Sequence, residues 1–176
     1  MAPTTSDRPT HVAPTYSAPA PRRAAIVPPD GGDAVRAFGN EILFKLTAEQ
    51  ADGAFSLGLA TVPAGNGPPP HLHEREDELF IILEGQYRVF ADGEWTEVGP
   101  GSVVFLPRGG VHTFHVVGPC PGRHWVFTTS GDFQRFYAKC GELFAQPGPP
   151  DRARLAGIAA ENGQRFAPPA AADGAR

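Results

Sequence analysis

Sulfur, surplus basic charge and long apolar runs are all scarce in this sequence, and each scarcity removes a class of protein. Two cysteines, Cys120 and Cys140, are too few for a disulfide framework, and a chain of 176 residues buries enough surface to fold without one. Free thiols in a reducing compartment are the expectation; small core residues or a single disulfide would fit the same count. With 15 Lys and Arg against 19 Asp and Glu, the net charge is -4, and the cations are scattered along the chain. That leaves no basic face for nucleic acid. No apolar stretch is long enough to span a bilayer, and residues 1–25 lack the apolar centre of a secretory signal, so the cytoplasm is the expected location and no membrane partner is expected.

What the chain has in quantity is proline, glycine and short β-forming runs. Residues 1–32 are rich in Pro, Ala, Ser and Thr and predict a flexible leader, whose Ile26 and Val27 form its sole apolar pair. From Gly39 the texture changes to runs of Val, Ile, Phe and Thr broken by Gly, Pro or Asp-Gly, the rhythm of an all-β antiparallel sandwich or barrel. Strands are predicted at 41–46, 55–62, 78–83, 86–91, 95–98, 102–106, 112–117 and 125–129. Asp92-Gly93 between two of them predicts a tight hairpin turn with positive φ. After Gly131 the apolar spacing becomes helical, with Phe133, Phe136, Tyr137 and Cys140 on one stripe and Asp132 placed as N-cap. A second helix is predicted from Asp151 to Asn162, bounded by Pro149-Pro150 and Gly163. The expected division is therefore a leader over 1–32, a barrel with its first C-terminal helix over 33–145, and a second helix with a flexible tail over 146–176.

Four potential metal ligands stand out by spacing. His71 and His73 are two residues apart, so on an extended segment both imidazoles face one side. Glu78 opens the next strand and shares its parity with Phe80 and Ile82. His112 arrives on a later strand with Phe114 and Val116 in step. Three neutral imidazoles and one carboxylate suit a single divalent transition-metal ion, Ni, Fe, Co, Mn or Zn, with one or two positions left open. Phe80, Ile82, Phe114 and Val116 are both core and candidate pocket lining. Glu74, Glu76 and Asp77 are expected to form a solvated acidic turn, because unpaired charges are rarely buried. Arg108 fits either the steering of an anionic group or pairing with that turn. His11 in the leader, His115 by its opposite parity and His124 near a loop are not expected to be ligands.

These residues also carry a likeness. Gly65, five residues, His71, one, His73, four, Glu78, six, Gly85 make one motif; Gly101, five, Pro107, one, Gly109, two, His112 make another, fifteen residues later. Together they resemble the two motifs of the cupin family, over roughly residues 39–141, with one departure: Val116 stands where the family often has Asn. The resemblance implies a double-stranded β-helix (jelly-roll barrel), a metal held by His71, His73, Glu78 and His112, and a homodimer. Glu41 to Leu46, with an apolar side, is the natural candidate for the pairing edge. Segments such as Gly65-Asn66-Gly67-Pro68-Pro69-Pro70-His71 and Ser130-Gly131-Asp132-Phe133 look like single-domain cupins grouped with the quercetinases, or flavonol dioxygenases. That finer likeness implies a metal-dependent dioxygenase acting with dioxygen on a phenolic or enolic substrate, Glu78 being ligand and base. The same Lewis acid would serve a cyclase, isomerase or decarboxylase without oxygen, and a metal- or ligand-binding regulatory module is the reading outside catalysis.

Overall fold

The computed structural model describes residues 23–169. Its strands are β1 (Asp33–Ala37), β2 (Asn40–Leu46), β3 (Ser56–Val62), β4 (His71–His73), β5 (Glu78–Glu84), β6 (Gln86–Ala91), β7 (Glu94–Val98), β8 (Val103–Leu106), β9 (Thr113–Val117), β10 (Gly122–Thr128) and β11 (Gln164–Phe166). Two helices, α1 (Asp132–Phe144) and α2 (Arg152–Glu161), lie between β10 and β11. Six strands form one antiparallel sheet in the order β1-β2-β3-β10-β5-β8, three form a second in the order β7-β6-β9, and β11 pairs with β4. This is the double-stranded β-helix expected from the sequence.

Period-two burial accounts for the sheets. Along β10 every second residue, Gly122, His124, Val126 and Thr128, is buried, and β3 alternates likewise up to its end. The expected hairpin joins β6 to β7: Asp92 and Gly93 have φ of 53° and 85°, the pair of left-handed residues that a two-residue turn requires. Helix α1 buries Phe133, Phe136, Tyr137, Cys140 and Leu143, and the Tyr137 hydroxyl donates to the Ala37 carbonyl at 2.9 Å. Both cysteines are free: Cys120 is exposed and Cys140 buried, and burial pushes the Cys140 thiol up to about 12.

Several expectations are corrected. Strand β1 was not foreseen; it covers β2, so residues 41–46 are not an edge of the sheet. The free edge opposite β1 is β8, where Val103 and Phe105 are 62% and 61% exposed. Gly131, not Asp132, is the N-cap of α1; the Ser130 hydroxyl accepts from the Asp132 N–H, leaving the Asp132 carboxylate to Arg135 and Arg75 at 3.0 Å each. Asp151 caps α2 by accepting from the N–H groups of Ala153 and Arg154. Strand β11 falls where a second helix and tail were expected to end the chain, and its ladder ties residues 164–166 to the His71–His73 segment. Ahead of β1, the Lys45 ammonium donates to the carbonyls of Pro28, Pro29 and Gly31, so the last residues of the leader pack on the barrel. The remaining leader and tail lie outside the described residues, as does His11.

One glycine controls the approach to β4. A Cβ on Gly67 would fall 1.8 Å from the Phe114 carbonyl oxygen, because the segment crosses β9 backbone to backbone, whereas Gly65 has open space around it and only its φ of +76° to satisfy. Gly67→Ala is expected to cost about 2 kcal/mol or more, a drop in Tm of about 4–8 °C, against about 1 kcal/mol for Gly65→Ala. Thermal unfolding of the two variants checks this; equal losses would mean that the close crossing is unimportant.

Candidate metal centre

Three consecutive prolines, Pro68 to Pro70, bring the chain stiffly into β4, which is extended, so His71 and His73 project to one side. His112 is locked opposite His71 by a pair of backbone hydrogen bonds of 3.0 and 2.8 Å. Glu78 opens β5 between Leu106 of β8 and Thr128 of β10. The four side chains meet: one ligand atom from each of His71, His73, Glu78 and His112 lies within 4.8 Å of all the others. Glu78 Oε2 is 3.2 Å from His112 Nε2 and 3.8 Å from His73 Nε2.

The far side of each ring explains its aim. Nδ1 of His71 faces the Pro69 carbonyl at 2.9 Å and that of His112 faces the Gly110 carbonyl at 3.0 Å. A carbonyl only accepts, so both rings carry their proton on Nδ1 and present a lone pair on Nε2. His73 Nδ1 faces Glu76 Oε1 at 3.1 Å, with the same result.

The inner atoms are unsatisfied. His73 Nε2, His112 Nε2 and Glu78 Oε2 are buried without a hydrogen-bond partner, in residues only 1–3% exposed. An unpaired buried polar atom costs about 1–3 kcal/mol, so three of them converging on one point need a common partner. A cation accepting nitrogen and oxygen lone pairs fits that need, and the cluster could hold one metal ion. Burial works against ionisation of the Glu78 carboxyl, yet the surrounding imidazoles, His73 foremost, hold it down at about 2. Burial, helped by His112 and His73, lowers His71 to about 3. Burial also acts to lower His73, but Glu78 and Glu76 beside it outweigh that and raise it.

The acidic turn proves divided. Glu74 is exposed and pairs with Arg165, and Asp77 takes both the backbone N–H and the guanidinium of Arg108, which holds the Asp77 carboxyl down at about 2. Of the two uses open to Arg108, the structure shows pairing with the turn. Glu76, by contrast, is 1% exposed and sits behind His73, accepting from the Ser130 hydroxyl at 2.6 Å and the Gln164 carboxamide at 3.0 Å. The sequence reading missed this carboxylate. Its only local signal is its place three residues beyond His73.

Beside the cluster lies an apolar cavity of about 60 Å³, lined by His71, Glu78 and the rings of Phe80, Phe114, Phe133 and Phe136 among others. Of the four positions read as both core and candidate lining, Phe80 and Phe114 line the cavity, while Ile82 and Val116, each 1% exposed, belong to the core. His115 faces outward and stacks on Trp95. His124 lies in a strand rather than near a loop: β10 starts at Gly122, so His124 is an inward residue, 2% exposed, and it lines the cavity without joining the four-residue cluster.

Comparisons with known proteins agree with this fold. A family model described as the cupin domain matches residues 58–127. An uncharacterized protein of Streptomyces coelicolor is 34% identical over 84 residues, which span 42% of this chain and 79% of that protein. Quercetin 2,3-dioxygenase of Bacillus subtilis is 29% identical over 89 residues, covering 49% of this chain but only 26% of the dioxygenase. The crystal structure of a predicted oxalate decarboxylase from Thermotoga maritima superposes with a TM-score of 0.50 at 22% identity, over 52% of this chain and 80% of the other, a likeness of fold. The chain belongs to the cupin family. An enzyme, the quercetin dioxygenase, is among its relatives, and the chain spans about a quarter of that enzyme's length. Among the described residues no helix is long and apolar enough to cross a membrane.

Proposed function

We propose that this chain is a metal-dependent dioxygenase acting on a phenolic or enolic small molecule, with His71, His73, Glu78 and His112 as the metal ligands. The observation that carries the reading is the group of partnerless buried atoms on His73, His112 and Glu78, which opens beside an aromatic-walled cavity. The quercetin dioxygenase likeness supports the reaction class. A divalent Ni, Fe, Co, Mn or Zn ion, when bound, supplies Lewis acidity that lowers the pKa of a coordinated hydroxyl. Glu78, ionised and lining the cavity, accepts the substrate hydroxyl proton at a carboxylate oxygen. Phe80, Phe114, Phe133 and Phe136 give the ring of a flat substrate apolar contact and keep water from the reacting oxygen. We further propose that the protein is a homodimer pairing through the exposed apolar edge β8.

The test is dioxygen consumption. Protein loaded in turn with nickel, cobalt, manganese and iron is incubated with a flavonol panel that includes quercetin, in an oxygen electrode. Uptake matching substrate loss is expected with at least one metal, and Glu78→Gln is expected to abolish it. No uptake with any metal would overturn the dioxygenase reading, and turnover under nitrogen would replace it with Lewis-acid chemistry.

A further inference from the structure

The cavity beside the cluster is too small for any ring-bearing molecule. Its volume is about 60 Å³, whereas a cavity that holds one benzene ring measures about 150 Å³. A ring can therefore reach Glu78 only if part of the wall moves. Exposure shows which part. Among the described residues most of the lining is buried; Phe38, Pro68, Pro69, His71 and Phe166 are the members that keep contact with solvent, so the cavity meets the surface between them. Pro68 and Pro69 are fixed in φ, and the backbone of His71 is held by that of His112. Two phenyl rings remain, 6.3 Å apart between centroids.

The two rings differ in footing. Phe38 has a φ of +53°, a left-handed conformation that is strained for a bulky side chain and tolerated by Asn, Asp or Gly; the other described non-glycine residues with positive φ are Asp52 and Asp92. Hydrogen bonds hold that backbone in place: Tyr137 donates to the Ala37 carbonyl at 2.9 Å, and the Asn66 carboxamide donates to that of Phe38 at 3.0 Å. Such strain persists where the surroundings enforce it, and it concentrates at ligand clamps. Here it lays the ring against Phe144 and Phe136, at 4.8 and 6.1 Å, and over the cavity. Phe166 is freer. It ends a strand of three residues, pairs opposite His71 so that both side chains leave the same face of the ladder, and is 38% exposed. Its ring lies 6.3 and 6.5 Å from those of Phe38 and Phe136, the loose end of the range for aromatic pairs, so those contacts restrain it only weakly.

We infer that Phe38 and Phe166 form a gate that selects by size what reaches the cluster of His71, His73, Glu78 and His112. Phe38 is the fixed side and Phe166 the ring that swings. Closed, the gate passes compact ligands; a ring-bearing substrate enters when Phe166 turns outward, and its apparent affinity falls with the fraction of molecules that are open. The inference rests on the cluster being the reacting centre of the proposed function, and the two arms of the test separate the gate from that reading.

The first arm needs no metal. Diethyl pyrocarbonate is added to metal-free protein, and reaction at each histidine is followed by mass spectrometry with the exposed His115 as internal reference. Relative to His115, reaction at His71 is expected to be about tenfold faster in Phe166→Ala, faster in Phe38→Asn, whose side chain suits the left-handed turn, and slower in Phe166→Trp. Val126→Ala, at a wall position only 2% exposed, enlarges the cavity away from its mouth and should leave the rate unchanged. The second arm uses cobalt-loaded protein with acetohydroxamate and benzohydroxamate, which share a chelating head and differ by a methyl against a phenyl group. In stopped-flow absorbance, wild type is expected to bind the phenyl compound about tenfold more slowly than the methyl one, Phe166→Ala to remove the difference and Phe166→Trp to widen it. Reaction at His71 unmoved by Phe166→Ala and Phe38→Asn, a Val126→Ala acceleration equal to that of Phe166→Ala, or equal entry of both hydroxamates into wild type would overturn the gate. Failure of the metal reading shows separately, as no cobalt absorption band in wild type, and the pyrocarbonate rates then decide the gate alone.

Discussion

In His112→Ala, affinity for cobalt or nickel is expected to fall by at least about a thousandfold, roughly 4 kcal/mol. No other ring can take its place, because His71 and His73 are each held on their own Nδ1 partners and His124 is turned to Tyr87. Calorimetry reads the loss directly, and thermal unfolding reads it again: added cation should raise Tm in wild type and leave the variant unmoved. Wild-type-like uptake by the variant would remove His112 from the ligand set. The pH dependence follows from the same geometry. His71 at about 3 and Glu78 at about 2 compete with no cation near neutrality, but His73 is raised above 6.5 and must give up its proton. Uptake should therefore be accompanied by proton release and weaken as pH falls, by up to about tenfold per unit. In the metal-free protein the sign reverses. The raised His73 adds stability that is complete below its unfolded value of 6.5 and fades as pH climbs through the folded value. Opposite slopes with and without cation are the signature to look for.

Glu76→Leu is expected to destabilise the metal-free protein by about 3–5 kcal/mol, since it strips the acceptor from three buried donors at once. His73 Nδ1, the Ser130 hydroxyl and the Gln164 carboxamide all turn to that carboxylate. Cation affinity should drop about 10–100-fold as well, because a ligand imidazole held by a carboxylate is both better aimed and more basic. The control is Glu74→Ala, two residues away and exposed, for which a change within about 0.5 kcal/mol is expected. Urea unfolding of both variants decides the matter, and indistinguishable losses would reduce Glu76 to an ordinary turn residue.

The cluster of His71, His73, Glu78 and His112 could be read from the sequence because it depends on local rules. Parity on extended segments pairs His71 with His73, and the Asp92-Gly93 turn follows from dipeptide chemistry. What escaped depends on long-range partners. Glu76 looked solvated because Ser130 and Gln164, the groups that make its burial tolerable, are 54 and 88 residues away. His124 was misjudged through a boundary: a strand taken to start at Trp125 puts it in a loop, whereas β10 starts at Gly122. Strand β11 has three residues of which only Gln164 is buried, too little alternation to announce itself. The cover of β1 over β2 is likewise a choice of neighbour, which no pattern within either strand encodes.

The pairing of β11 with β4 has a bearing on biogenesis. Gln164 meets a histidine 91 positions earlier, so as the polypeptide emerges from the ribosome, the barrel can close long before the support of His73 is complete. An ion taken up by the cluster before that strand docks would meet a His73 without Gln164 behind it. Order of synthesis thus separates the closing of the barrel from the completion of the support behind His73.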